Sequence, residues 1–358
     1  MSGKLESKNC YYASQREIVK TKSRIDDFAD ISLVNNFRRI LVPRKWVNSK
    51  FIALFNKPSG DIVCPHFWEF KPFIGCPFNC SYCYLQGTFY GNKSPRMKVK
   101  DPNELVKELN QFLEWADLEG LKILMNAGEL ADSLAIPEWT EFIIKTVLPV
   151  LESHKNHKIL FLTKGGAMHI KPLLADEVSH ELSNFIIVSF SLNPKRVAVK
   201  YEKGTADPED RIRAAKILQD RGFTIRIRID PIIPVSGWRA DYAFLIRKIF
   251  VDHELKPERV TIGSLRGLQK TFRFAKSNDW KEFLDRGERT RWGRKIEFNL
   301  RMEIYTFILK KILELGYNGP LALCKETLDI WRKLVDAKLL SDPGTPGIWE
   351  NVLCNCKL

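Results

Sequence analysis

From about Trp68 onward, short runs of β-branched and aliphatic residues alternate with longer stretches whose apolar positions recur at helical spacing. Lys122–Met125, Lys158–Leu162, Phe185–Phe190, Thr224–Ile229 and Arg259–Ile262 are the predicted strands. Between them, Pro102–Trp115, Ile136–Leu151, Ile170–Leu182, Pro208–Arg221 and Ala240–His253 carry the i, i+3, i+4 apolar pattern of helices that cover a sheet. Strand–helix alternation with connections of this length requires right-handed crossovers and a parallel sheet, so the fold class is α/β, as a barrel or an open sheet. Ahead of this region the pattern is lost. Residues 1–50 are polar and basic, with Lys20, Lys22, Arg24, Arg38, Arg39, Arg44 and Lys45, and are expected to form an extension packed on the main domain. The expected organisation is an N-terminal extension over 1–67, an α/β domain over 68–265 and a basic, α-rich C-terminal region over 266–358.

Composition narrows this picture. With 44% hydrophobic and 11% aromatic residues in 358, the chain can bury a sizeable core and is not a disordered protein. It has no run approaching the roughly 18 apolar residues of a membrane span, and Met1–Lys8 lacks the apolar segment of a secretory signal. A soluble, unprocessed, cytoplasmic protein is expected. Eight cysteines are too few for a disulfide scaffold, and three of them fall within eight positions, which favours metal over cross-linking in a reducing compartment. The formal net charge of +14 attracts polyanions, of which nucleic acid is the commonest.

A parallel sheet places its functional loops at the carboxyl ends of its strands, and there the unusual residues collect. The loop expected after the first strand reads Gly75-Cys76-Pro77-Phe78-Asn79-Cys80-Ser81-Tyr82-Cys83-Tyr84. Its CxxxCxxC spacing allows three thiolates to hold three irons of a [4Fe–4S] cluster and leaves the fourth iron open for chemistry. Zinc is the competing reading and needs a fourth ligand, which Cys64 or His66 could supply. After the next strands come Asn126 to Ser133, with Gly128, Glu129 and Asp132, then Thr163-Lys164-Gly165-Gly166, then Ser189 to Asn193, then Arg228-Ile229-Asp230-Pro231.

These residues carry a resemblance. The chain is similar to the radical S-adenosylmethionine superfamily, and Cys80-Ser81-Tyr82-Cys83-Tyr84-Leu85-Gln86 resembles the spore photoproduct lyase branch, often described as DNA repair photolyase-like. Phe161 to Lys164, Phe190 to Asn193, Val199 to Thr205, Asp210 to Ala215 and Arg291-Trp292-Gly293-Arg294 support it, in family order from about residue 70 to 300. The resemblance implies a partial (β/α)6 barrel and a [4Fe–4S] cluster on Cys76, Cys80 and Cys83. On its open iron, S-adenosylmethionine is bound and cleaved reductively to a 5′-deoxyadenosyl radical, with an electron donor such as flavodoxin or ferredoxin. It further implies that Glu129, after Gly128 in a turn like the superfamily's GGE, accepts from the methionine ammonium, while Gly128 lets the backbone approach closely. Lys164 would meet the methionine carboxylate and Ser191 the same head group or the ribose. Tyr82 would stand near the adenine, and Tyr84 would point into the cavity as a hydrogen-atom relay. Each has an ordinary structural alternative: a capping carboxylate, a solvated lysine, a packed tyrosine.

One departure limits what can be carried over. Spore photoproduct lyases have a cysteine, followed by Thr-Ser-Asp, in the loop after the second strand; it returns a hydrogen atom to the product radical. Here Asn126 to Ser133 contains no cysteine. Either another residue such as Tyr84 serves, or the substrate differs: RNA, a peptide or a small molecule. A nucleic-acid-binding protein with a structural iron–sulfur cluster is the reading from outside enzymology. The chain has no GxxxxGK[ST], HExxH or GxSxG, so nucleotide hydrolysis, zinc proteolysis and serine esterase chemistry have no support.

The last third adds two features. Residues 266–311 hold 13 Lys/Arg against 6 Asp/Glu, half of the chain's excess, with Phe272, Phe274, Trp280 and Trp292 among them. Arg289, Arg291, Trp292 and Arg294 are the candidate DNA contacts, cations for phosphates and an aromatic for a displaced base. A solvated helix face with core aromatics is the alternative. Cys324, with Cys354 and Cys356 at the C-terminus, resembles a ligand set for a second iron–sulfur cluster, or for zinc with a fourth ligand that the sequence does not identify. Buried unligated thiols are the alternative, and Cys10 and Cys64 receive no role. Oligomeric state is not legible.

Overall fold

In the computed structural model, residues 28–35, 38–56 and 61–358 are described. Cys10, Lys20, Lys22 and Arg24 lie outside them. Eight strands form one sheet: β1 (Ile52–Phe55), β2 (Phe67–Phe70), β3 (Leu124–Asn126), β4 (Lys158–Thr163), β5 (Ile186–Ser191), β6 (Thr224–Ile232), β7 (Arg259–Ser264) and β8 (Leu321–Leu323). They are ordered in space as in sequence. β1 pairs antiparallel with β2, and every later neighbour is parallel. The sheet curls into a half-barrel. Six of the parallel strands are the expected ones; the seventh, β8, comes from the C-terminal region, and β1 from the expected extension.

The register explains which residues face the helices. In a strand, alternate side chains point to opposite faces. Ile159 and Phe161, Ile186 and Val188, Ile225 and Ile227, and Val260 and Ile262 share the main core with the covering helices. Residues of opposite parity face inward. Towards the amino ends of the strands Leu124, Leu160 and Ile187 form a small separate apolar cluster. Above it the inward positions turn polar: Asn126, Ser191, Arg228 and Asp230.

The helices start where their caps predict. Asp101 and Asp207 each accept a hydrogen bond from the amide two residues on, with proline at the first helical position, and open Pro102–Leu118 and Pro208–Asp220. Three predicted helices differ. Ile136–Leu151 is two helices, Pro137–Thr146 and Leu148–Ser153, because Pro149 lacks the amide that a continuous helix would need. Ile170–Leu182 is a 3-10 turn, Lys171–Leu174, then a single helical turn, His180–Ser183. Between them Ala175 is extended, and the Ser179 hydroxyl caps the restart by accepting from Leu182 N at 3.2 Å. Ala240–His253 begins at Trp238 and ends in a π turn, Lys248–Asp252. Among the described residues no helix is long and apolar enough to cross a membrane.

Candidate active site

The cysteine loop leaves the sheet after β2 and is fastened on several sides. Gly75 has φ +84°, and a Cβ there would stand 2.3 Å from Ser94 O, so only glycine fits this entry to the loop. Cys76 N donates to Lys93 O at 2.9 Å, and the buried Lys93 ammonium donates to Cys76 O and Phe78 O. Asn79–Cys80 pairs antiparallel with Glu202–Lys203. Gln86 Nε2 donates to Ser81 O at 2.9 Å and to Cys80 O at 3.2 Å. Cys76, Cys80 and Cys83 emerge on the wall of one cavity of about 420 Å³. Burial pushes the Cys76 thiol up to about 12 and raises Cys80 and Cys83 as well. Two buried thiols and a half-buried one on one loop are costly as bare thiolates and suited to a cationic centre that deprotonates them.

The same cavity gathers the strand-end residues: Tyr82, Tyr84, Gly128, Glu129, Lys164 and Ser191 all line it. Their contacts are mutual. Lys164 Nζ donates to Ser191 Oγ and forms an ion pair with Glu202 Oε1 at 3.2 Å. Tyr82 OH donates to the same carboxylate oxygen at 2.5 Å, and Asn193 Nδ2 does so at 2.8 Å. Arg211 Nη1 approaches Glu202 Oε2 at 2.7 Å. Burial by itself would raise the Glu202 carboxyl, but the Lys164 and Arg211 cations hold it well below the usual carboxylate range. Glu202, given no role by the sequence reading, is thus the anion that ties Tyr82 of the cysteine loop to Lys164. The resemblance quoted its neighbourhood, and its adjacency to Tyr201 in a short polar run was the one available signal.

Glu129 is engaged too. Its carboxylate accepts from Lys325 Nζ at 3.0 Å, and its backbone carbonyl accepts from Tyr84 OH. Lys325 enters from beyond β8 and sits over the rings of Phe55 at 4.6 Å and Trp292 at 4.9 Å. Gly128 is tight for a reason internal to the sheet: a Cβ would stand 2.5 Å from Leu162 Cβ, on β4. Asp132 accepts from Lys164 N and from Thr163 Oγ1, both at 2.7 Å. Asp230 bonds Arg266 Nη1 at 2.8 Å and pairs with Arg228. Sequence reasoning had Asp132 and Asp230 at the rim without roles and missed Lys325 and Lys93.

The basic region divides. Arg289 and Arg294 lie on a hairpin, Arg289–Thr290 with Gly293–Lys295, and Arg291 is in its turn. Arg289 and Arg291 are exposed. Arg294 stacks at 5.8 Å on Phe272, and Trp292 packs edge-on to Phe55 at 5.6 Å as part of the cavity wall. Trp280 belongs to the core alternative: it is fully buried, with Nε1 donating to Ser277 O at 3.1 Å. Cys324, Cys354 and Cys356 come together, and Cys64 joins them in a second, smaller cavity.

A parallel half-barrel with a three-cysteine loop at the carboxyl end of its first parallel strand is the fold of the radical S-adenosylmethionine proteins. Within that class the chain belongs to the spore photoproduct lyase family, whose profile matches residues 56–279. It is 25% identical over 193 residues to the spore photoproduct lyase of Clostridium acetobutylicum, covering 54% of this chain and 52% of that one. To the lyase of Bacillus subtilis it is 24% identical over 249 residues, 67% of either chain. The chain thus spans about half the length of the first relative. A doubly substituted spore photoproduct lyase with bound AdoMet and dinucleoside spore photoproduct superposes with a TM-score of 0.58 at 18% identity, covering 75% of this chain and 79% of that one.

Proposed function

We propose that this protein is a radical S-adenosylmethionine lyase acting on a DNA photolesion, carried by one observation: three cysteine thiols and the polar ends of the parallel strands converge on a single cavity. Cys76, Cys80 and Cys83 would hold a [4Fe–4S] cluster, a role supported by their common place on one cavity wall and the firm anchoring of their loop. When bound, the cluster supplies one electron to S-adenosylmethionine, which the family relative crystallised with AdoMet also binds. The residues around it then have distinct work. Glu129 accepts from the methionine ammonium by exchanging its present partner, Lys325, for the ligand. Lys164, steadied by Glu202, presents its ammonium beside Ser191 to the methionine carboxylate.

Tyr84 takes the place of the lyase cysteine as hydrogen-atom relay. Its ring lines the cavity and its hydroxyl is fixed on Glu129 O, so the O–H is held within the space where substrate must lie. Exposed Arg289 and Arg291 on the hairpin beside Trp292 supply phosphate contacts, and the lesion enters past Trp292. The test is anaerobic. The protein is reconstituted with iron and sulfide, reduced and mixed with S-adenosylmethionine, and 5′-deoxyadenosine is assayed with and without spore-photoproduct DNA, against Cys80→Ala. Cleavage that depends on Cys80, responds to the lesion and consumes it is the expected result. Cleavage indifferent to DNA overturns the substrate, and no cleavage at verified cluster loading overturns the enzyme class.

A further inference from the structure

Four cysteines outside the catalytic loop meet at one place although they come from three distant segments. Cys64 follows a short strand, Ile62–Val63, whose antiparallel partner is Glu326–Thr327; that ribbon sets Cys64 beside Cys324, at the end of β8. The C-terminal tail supplies the other two. Arg226 and Arg259, side by side in register on β6 and β7, face inward and hold the tail by its carbonyls. Arg226 Nη1 donates to Asn355 O at 2.5 Å and Lys357 O at 2.8 Å; Arg259 Nη1 donates to Cys354 O at 3.1 Å and Lys357 O at 3.0 Å. Two buried guanidiniums thereby position Cys354 and Cys356 inside the barrel. All four thiols line the same small cavity, and none is in a disulfide.

Donors and cations face the sulfurs. Arg228 Nη2 donates to Cys324 Sγ at 3.1 Å and Arg266 Nη2 at 3.5 Å, while Asn126 Nδ2 donates to Cys356 Sγ at 3.4 Å. Lys325 adds a further positive charge beside Cys64. N–H donors aimed at sulfur and a cationic shell are what a site of net negative charge requires. A merely packed thiol needs neither.

We propose that Cys64, Cys324, Cys354 and Cys356 form a second metal centre, of tetrathiolate type. Cys64 is the fourth ligand that the sequence pattern left unidentified. Four thiolates select a soft or borderline metal, which means zinc or an all-cysteine iron–sulfur cluster. As they stand, no three of these side chains surround a point that one ion could fill. Metal binding therefore needs rotation of the side chains to turn the four sulfurs towards one another. Because Glu129, Arg228 and Lys325 line both cavities, the centre lies directly behind the catalytic one.

The experiment removes the first site to read the second. Full-length protein carrying Cys76→Ala, Cys80→Ala and Cys83→Ala is purified and reconstituted anaerobically, and its zinc and iron are counted. The expected result is about one zinc or about four irons per chain, the first meaning a mononuclear site and the second a cluster. Adding Cys354→Ser and Cys356→Ser should lower that metal at least tenfold with the far-ultraviolet circular dichroism unchanged. Cys64→Ser, on a different segment, should do the same and covers a tail variant that fails to fold. Neither metal above about a tenth per chain, or metal that survives these substitutions, overturns the proposal. Failure of the first-site reading is separately visible, as equal iron in the triple variant and the unsubstituted chain.

Discussion

Glu202→Gln is the most exacting perturbation of the site, because it keeps shape and removes one charge. Two donors and two cations converge on the native carboxylate: Tyr82 and Asn193 hydrogen-bond to Oε1, Lys164 pairs with Oε1, and Arg211 pairs with Oε2. A glutamine offers one acceptor and one NH₂, so whichever way it turns, an amide donor faces another donor at hydrogen-bond distance. If Oε1 is kept for the three, the NH₂ points at Arg211 Nη1, 2.7 Å from the present oxygen. Arg211 is fully buried and is left as an uncompensated charge. Breaking a buried pair from one side costs about 3–5 kcal/mol, a large share of the roughly 5–15 kcal/mol that stabilises a typical domain.

Urea unfolding of the metal-free protein, followed by fluorescence and circular dichroism with coincident transitions, measures the loss. Arg211→Met closes the cycle. Alone it forfeits hydrogen bonds to Ala206 O, Ser191 O and Thr205 Oγ1 and takes one of its two cations from Glu202, and it should cost a similar amount. Together the two substitutions remove both halves of the Glu202–Arg211 pair and leave only Lys164 without its carboxylate, so the double variant should be more stable than the sum of the singles by about 2–3 kcal/mol. A single-variant loss below about 1 kcal/mol, or additivity within about 0.5 kcal/mol, would refute the account of Glu202 as the anion that neutralises this layer of the barrel.

The other predictions concern pH and salt. Cations hold both Glu202 and Asp230 below the usual carboxylate range against the opposing effect of burial, so each contributes stability that is fully present above its unfolded value, about 4, and is lost as pH falls through its folded one. Urea midpoints should therefore decline below about pH 4.5, more steeply in the unsubstituted protein than in Glu202→Gln, and parallel curves would contradict the assignment. For DNA, replacing exposed Arg289 and Arg291 together by alanine should reduce the slope of log K against log salt by about 1.8, from about 0.9 per phosphate contact, with weakening uniform across sequences. An unchanged slope in fluorescence-anisotropy titrations removes the hairpin from the interface.

What the sequence revealed, and what it did not, follows from how a curled sheet is built. Outward positions such as Ile186, Val188, Ile225 and Ile227 pack on helices adjacent in the chain, so their pattern was legible locally, and strands were placed within a few residues. Inward positions have partners that local periodicity cannot name. Thr224-Ile225-Arg226-Ile227-Arg228-Ile229-Asp230 alternates like a half-exposed strand, yet its polar side is enclosed. Arg226 meets tail carbonyls more than a hundred residues away, Arg228 meets Cys324, and Asp230 meets Arg266. Glu202 and Lys325 were overlooked for the same reason: a charged residue in a polar run reads as solvated until the element that buries it is known. Cys64 is the clearest case. The sequence offered it only as a possible fourth ligand beside the catalytic loop, and the pairing of Ile62–Val63 with Glu326–Thr327 brings it instead to the other three thiols. Loop motifs announce the groups that touch a ligand, because their spacing is local. The groups that hold those loops at the right charge lie across the barrel, and they become visible only when the sheet has curled around them.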